Sequence, residues 1–208
     1  LVVAGIDFLS GVELRVYPLY YLPIAFAAWR LGWSWTIAAA ALSTGAVSGL
    51  TVDQIGGLET TQTLAFTSTQ IGAISTTSLS AMSGARLGAL TSAQVSGLIS
   101  SQVTALTVTD LAGFSTTQLR GLSSSAIGGL EAEDVVAFST TQLQTLFTTQ
   151  VAAISATTIQ GLTSVEIGKL STTQFASLTP TQIGALSTTQ MAAFPAATVN
   201  GFTTTQIS

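Results

Sequence analysis

The chain has 208 residues, of which only 7% are charged, against about 25% in an ordinary soluble domain. Its net charge is −4, and five scattered basic residues (Arg15, Arg30, Arg86, Arg120 and Lys169) are too few to neutralise phosphates, so nucleic acid is excluded as an expected partner. With no Cys and no His, disulfides, zinc sites, haem ligation by imidazole or thiolate, thiol nucleophiles and Ser-His-Asp triads are excluded as well.

Residues 1–49 hold all the Trp (Trp29, Trp33, Trp35) and all the Tyr (Tyr17, Tyr20, Tyr21) of the chain. An uncharged run fills the space between Arg15 and Arg30, and a second covers residues 31–50. About 20 apolar residues cross a bilayer, and flanking Arg side chains snorkel to its surface. Trp and Tyr near the ends suit an aromatic belt. The expectation is an apolar helical hairpin embedded in a membrane, with a buried hairpin in a soluble cap as the alternative. A signal peptide fits poorly, because Asp7 and Glu13 stand where a basic region is needed.

The words GIDFLSG and YYLPIAFAAWRLGW in this part resemble the membrane-spanning input region of bacterial sensor kinases and diguanylate cyclases. Asp7, Gly11, Tyr20, Leu22, Pro23, Trp29 and Gly32 carry the likeness. The resemblance implies a sensory input role, although no kinase or cyclase output domain follows.

From Leu50 to residue 208 the chain is an array with a period of eight. Position one is Leu, Phe, Ile or Met in all twenty octads, beginning Leu50, Leu58, Phe66 and Ile74. Position six is as strictly apolar, with Thr63 the exception and Leu64 beside it as the expected substitute. Position two is Ser or Thr in fifteen octads, and position five is Gln in twelve.

In the octad LSTTQFAS, with Ser171 at the N-cap, Gln174 falls at N3 and completes a capping box. Leu170 and Phe175 then take the two positions of a hydrophobic staple. Pro180 falls at N1, where proline is favoured, whereas Pro195 falls at an N-cap and cannot cap. Small residues at position eight, such as Gly97, Gly121 and Gly201, suit close approach of neighbouring turns.

The expected fold is therefore all-α: a solenoid of short capped helices, one per octad, preceded by the apolar hairpin. Helices this short do not stand alone in water, so stacking must bury positions one and six in a common spine. With helix spacings of about 8–10 Å, twenty octads are expected to make a rod of roughly 80–200 Å. A β-solenoid is the rival, since eight is even and Thr favours strands. It would place positions one and six on opposite faces and leave Gln without a role.

The octads resemble the Leu-Thr-Thr-x-Gln-Ile-x-Ala-Leu arrays of large bacterial surface proteins labelled as adhesion or haem-utilisation proteins. That likeness implies a cell-envelope scaffold. For haem it finds only Met82 and Met191 as weak axial candidates. The start of each octad is also similar to the opening of a TAL-effector repeat helix, but the base-reading loop is absent.

Glu131, Glu133 and Asp134 form the sole acidic cluster, readable as a weak cation site or an acid–base pair. Placed at N-cap, N2 and N3 they are better explained by the helix dipole, as are Asp110 and Glu166 at N3. No catalytic, cofactor-binding or metal-binding residue is assigned. The Ser and Thr of positions three and four read as a solvated face, as glycosylation sites or as a hydroxyl lattice for polysaccharide or ice.

The functional expectation is a non-catalytic structural or adhesive scaffold of the bacterial cell envelope, held to the membrane through residues 1–49. It would self-associate or bind a surface glycan or protein. The alternative is a truncated membrane sensor whose N-terminal part is its input.

Overall fold

The computed structural model of the chain describes residues 43–194. Within them there is no strand, and nineteen helices of four to six residues follow one another, one per octad. They are α1 (Thr44–Ser48), α2 (Val52–Gly56), α3 (Thr60–Thr63), α4 (Ser68–Ala73), α5 (Thr76–Ser80), α6 (Gly84–Ala89), α7 (Ser92–Val95), α8 (Ser100–Ala105), α9 (Val108–Ala112), α10 (Thr116–Gly121), α11 (Ser124–Ile127), α12 (Ala132–Ala137), α13 (Thr140–Thr145), α14 (Thr148–Ala153), α15 (Ala156–Gly161), α16 (Ser164–Gly168), α17 (Thr172–Ala176), α18 (Pro180–Gly184) and α19 (Thr188–Ala192).

Each helix starts as the octad predicts. Ser171 is extended (φ −72°, ψ 161°) and its side chain accepts from the Gln174 N–H at 3.3 Å. The Gln174 Oε1 accepts in return from the Ser171 N–H at 2.9 Å. The same reciprocal pair forms at Thr91 with Gln94, Ser115 with Gln118, and Ser187 with Gln190. Pro180 takes the first helical position of α18. Each helix ends where the next position-one residue donates its N–H to the position-six carbonyl, as Leu178 does to Phe175 at 3.1 Å. Leu122 shows why the helix goes no further: its backbone is extended (φ −60°, ψ 133°).

Positions one and six enter one core. Val103, Leu111, Leu119 and Ile159 of position six are fully buried, and Leu98, Phe114 and Phe138 of position one nearly so. A strand would have parted these columns; the helical turn brings them to one side. Thr63 corrects an expectation, because it keeps the inward place itself and Leu64 stays exposed. Its hydroxyl donates to the Glu59 carbonyl at 3.2 Å, which satisfies the buried oxygen without an apolar substitute.

Stacking is not between neighbours in sequence. The strongest helix contacts are between helices three apart in the series: α1 on α4, α7 on α10, α10 on α13, α16 on α19. The hydrogen bonds between successive turns join residues 25 to 31 apart, most often 28 or 31, which is between three and four octads. One superhelical turn thus takes about 28 residues. With helices about 8–10 Å apart, twenty such octads rise only about 45–60 Å. The longer rod is corrected for that reason: several octads complete a turn before the stack advances by one spacing.

The helix series is also under way before Leu50. Residues 42–49 read LSTGAVSG, Ser43 caps α1, and Val47 is fully buried at position six. This octad is hidden in the sequence because Ala46 replaces Gln at position five. The apolar hairpin of residues 1–49 and the Pro195 cap fall almost wholly or wholly outside the described residues. Among the described residues no helix is long and apolar enough to cross a membrane.

Candidate functional site

The position-five column sits at the interface between turns and does more than cap. Gln150 accepts from the Phe147 N–H through Oε1 at 2.8 Å. Its Nε2 donates to the Leu119 and Leu122 carbonyls of the preceding turn, both at 2.8 Å. Gln94, Gln102, Gln118, Gln142, Gln174, Gln182 and Gln190 repeat this double donation at 2.6–3.0 Å. One carbonyl oxygen and two amide hydrogens meet one donor and two acceptors, which only an amide can do. Each of these eight Gln caps its own helix and ties two carbonyls one turn below.

The departures at position five follow the same chemistry. Ser78 donates to Leu50 at 3.0 Å and Thr158 to Leu130 at 2.8 Å, each with the one hydrogen a hydroxyl has. Arg86 reaches the Gly56 carbonyl at 2.6 Å. Asp110, Asp134 and Glu166 keep only the capping half, accepting from the N–H of Thr107, Glu131 and Thr163. Every one of the thirteen buried polar side chains among the described residues is hydrogen-bonded to the main chain.

The acidic cluster does not converge on a point. Glu131 is the N-cap and Glu133 is N2, both exposed, while Asp134 at N3 is buried. Burial pushes the Asp134 carboxyl above the usual aspartate range, the Glu131 N–H opposes this, and the charges of Glu131 and Glu133 add to the rise. Glu166 is held below the ordinary glutamate range, chiefly by the Thr163 hydroxyl. Lys169 at 3.4 Å helps in the same direction. Of the two methionines, Met82 is buried in the core and Met191 is half-buried.

Position four is exposed at every described octad, from Asp53 through Thr117 to Thr189. Position three is often half-buried, because small residues at position eight of the turn above lie on its backbone. A Cβ on Gly121 would stand 2.6 Å from the Ser92 carbonyl oxygen, and one on Gly161 would stand 2.6 Å from the Ala132 Cβ.

One stretch of this outer face breaks the octad rules. Phe147 stands at position two, so α14 lacks its side-chain cap, and the residue is 45% exposed. Arg120, at the usually small position seven, lies over that ring with its guanidinium carbon 4.3 Å from the centroid. The two residues edge an open groove of about 520 Å³ that runs over α7, α10 and α13. Ser92, Thr116, Thr117 and Thr145 line it, together with the small residues Ala93 and Gly121. Sequence reading passed over this groove; the signal was the pair of departures at Arg120 and Phe147.

The end of the described chain shows the regular octad in three successive helices, with Gln174, Gln182 and Gln190 in the bridging role. Residues 165–195 match the ALTTAQ repeat family. Within the ALTTAQ-matching stretch, residues 185–190 read ALSTTQ, with Ser at the cap and Gln at N3 of α19. The match rests on the most regular octads, and the same geometry extends back through α1. No curated relative and no solved structure matches the chain.

Proposed function

We propose that the chain is a non-catalytic repeat scaffold of the bacterial cell envelope, membrane-held through the apolar part of residues 1–49 that precedes α1, whose array serves adhesion, spacing or self-association. The observation that carries this reading is where the buried polar side chains go. They are spent on the chain's own backbone, capping helices and joining turns, so that little is left poised for bond-making chemistry. The outward columns are mostly neutral hydroxyls, and the low charge leaves little repulsion between adjacent arrays. The ALTTAQ match supports the repeat-scaffold part of the reading, and the likeness of the octads to surface-protein arrays supports its place.

Fractionation of expressing cells tests it. The full chain is expected in the membrane fraction, with the octads trimmed by protease added outside intact cells. Full-length protein in the soluble fraction, untouched by external protease, would refute the envelope assignment.

A further inference from the structure

We propose that the Arg120–Phe147 groove is a binding site for a carboxylated sugar of an acidic glycan. Of the three described cations, Arg86 donates to the Gly56 carbonyl and Lys169 pairs with Glu166. Arg120 is exposed and makes no hydrogen bond or ion pair among the described residues. Its guanidinium rests on the Phe147 ring, a contact that fixes the plane of the fork and leaves its N–H edge open for a carboxylate.

Phe147 at an N-cap forgoes a Ser or Thr cap and gains little burial. A local rule broken without a packing gain marks a functional position. Ile99 is the contrast: it too is an exposed apolar N-cap, but it has no ring for a cation to rest on, whereas Phe147 carries Arg120.

The lining selects among anions. Ser92, Thr116, Thr117 and Thr145 line the same groove as the cation, and the groove is open to solvent. It offers no deep apolar pocket of the kind that anchors a peptide side chain. Hydroxyl groups and an aromatic edge suit a polyhydroxylated ring, while the fork supplies bidentate contact to its carboxylate. Charge complementarity thus falls on a uronate, on a chain whose net charge of −4 disfavours non-specific anion binding. The site stands on its own geometry and does not depend on where in the cell the scaffold lies.

The test is calorimetric titration of the full chain with a galacturonate trisaccharide, the neutral galactose trisaccharide and a triglutamate peptide. Saturable binding of the uronate, at least tenfold tighter than of either control, is expected. R120Q should weaken it about tenfold or more, the cost of a lost charge-assisted pair. F147S should weaken it too while restoring the cap, so circular dichroism will show that helix content is kept. Absence of saturable uronate binding, or binding that R120Q leaves unchanged, overturns the proposal. So does equal or tighter binding of triglutamate.

Discussion

Asp134 shows what a single side chain at position five is worth. It stands where a Gln would donate to the carbonyls 31 and 28 residues back, Val103 and Leu106, but an ionised carboxylate has no hydrogen to give. Its folded-state pKa lies above the unfolded value. The folded chain therefore holds this proton more tightly, and the associated stability is fully present below the ordinary aspartate range. It is lost as pH rises through the folded value. Glu166 has the opposite sign: its stabilisation is present above the ordinary glutamate range and lost as pH falls through its depressed value. Asp134→Gln should raise the urea-unfolding free energy at pH 7 by about 1–2 kcal/mol, two neutral hydrogen bonds' worth. The gain should shrink when the same pair is compared near pH 3. An equal gain at both pH values would mean the carboxylate is not the defect.

The helices themselves hold through two devices, one local and one across turns, and substitutions separate them. Gln150→Glu retains an acceptor for the Phe147 N–H, and glutamate is a favoured N3 residue. If capping were the whole role, the change would be neutral. The account predicts a loss of about 2–4 kcal/mol at neutral pH, because a carboxylate would face the Leu119 and Leu122 carbonyls. Urea unfolding of the two proteins decides between these. A second pair tests the close approach of turns. Gly121→Ala drives a Cβ to 2.6 Å from the Ser92 oxygen and should cost about 1–3 kcal/mol. Gly88→Ala meets nothing within 4 Å and should stabilise by about 0.5–1 kcal/mol.

The contrast also explains what was legible in the sequence. Ser171 and Gln174 are three residues apart, so their partnership is written in the spacing, as are the buried columns of Leu170 and Phe175. The second half of the Gln role was not legible, because its partners are backbone carbonyls about 28 residues away, and a carbonyl has no sequence signature. A hint existed in the preference itself: Glu also completes a capping box, yet it fills position five only at Glu166, against twelve Gln. The groove was missed for the opposite reason. Arg120 and Phe147 lie in different octads and become neighbours only once the helices are wound.

Over the whole molecule, the central claim is that about 28 residues make one turn and that position five joins each turn to the next. The spacing, and not the helical content, distinguishes this stack from one that advances a helix per octad. Thr69 and Thr181 are both exposed at position four, 112 residues apart, or four turns on the same side. The chain has no Cys, so nitroxide labels can be placed at these two positions alone. Pulsed electron–electron double resonance on that pair is predicted to give a single distance of about 30–45 Å, four helix spacings plus label reach. A distance near 110–140 Å, beyond the range of the method and seen as no measurable dipolar coupling, is what fourteen one-octad steps would produce, and it would contradict the account.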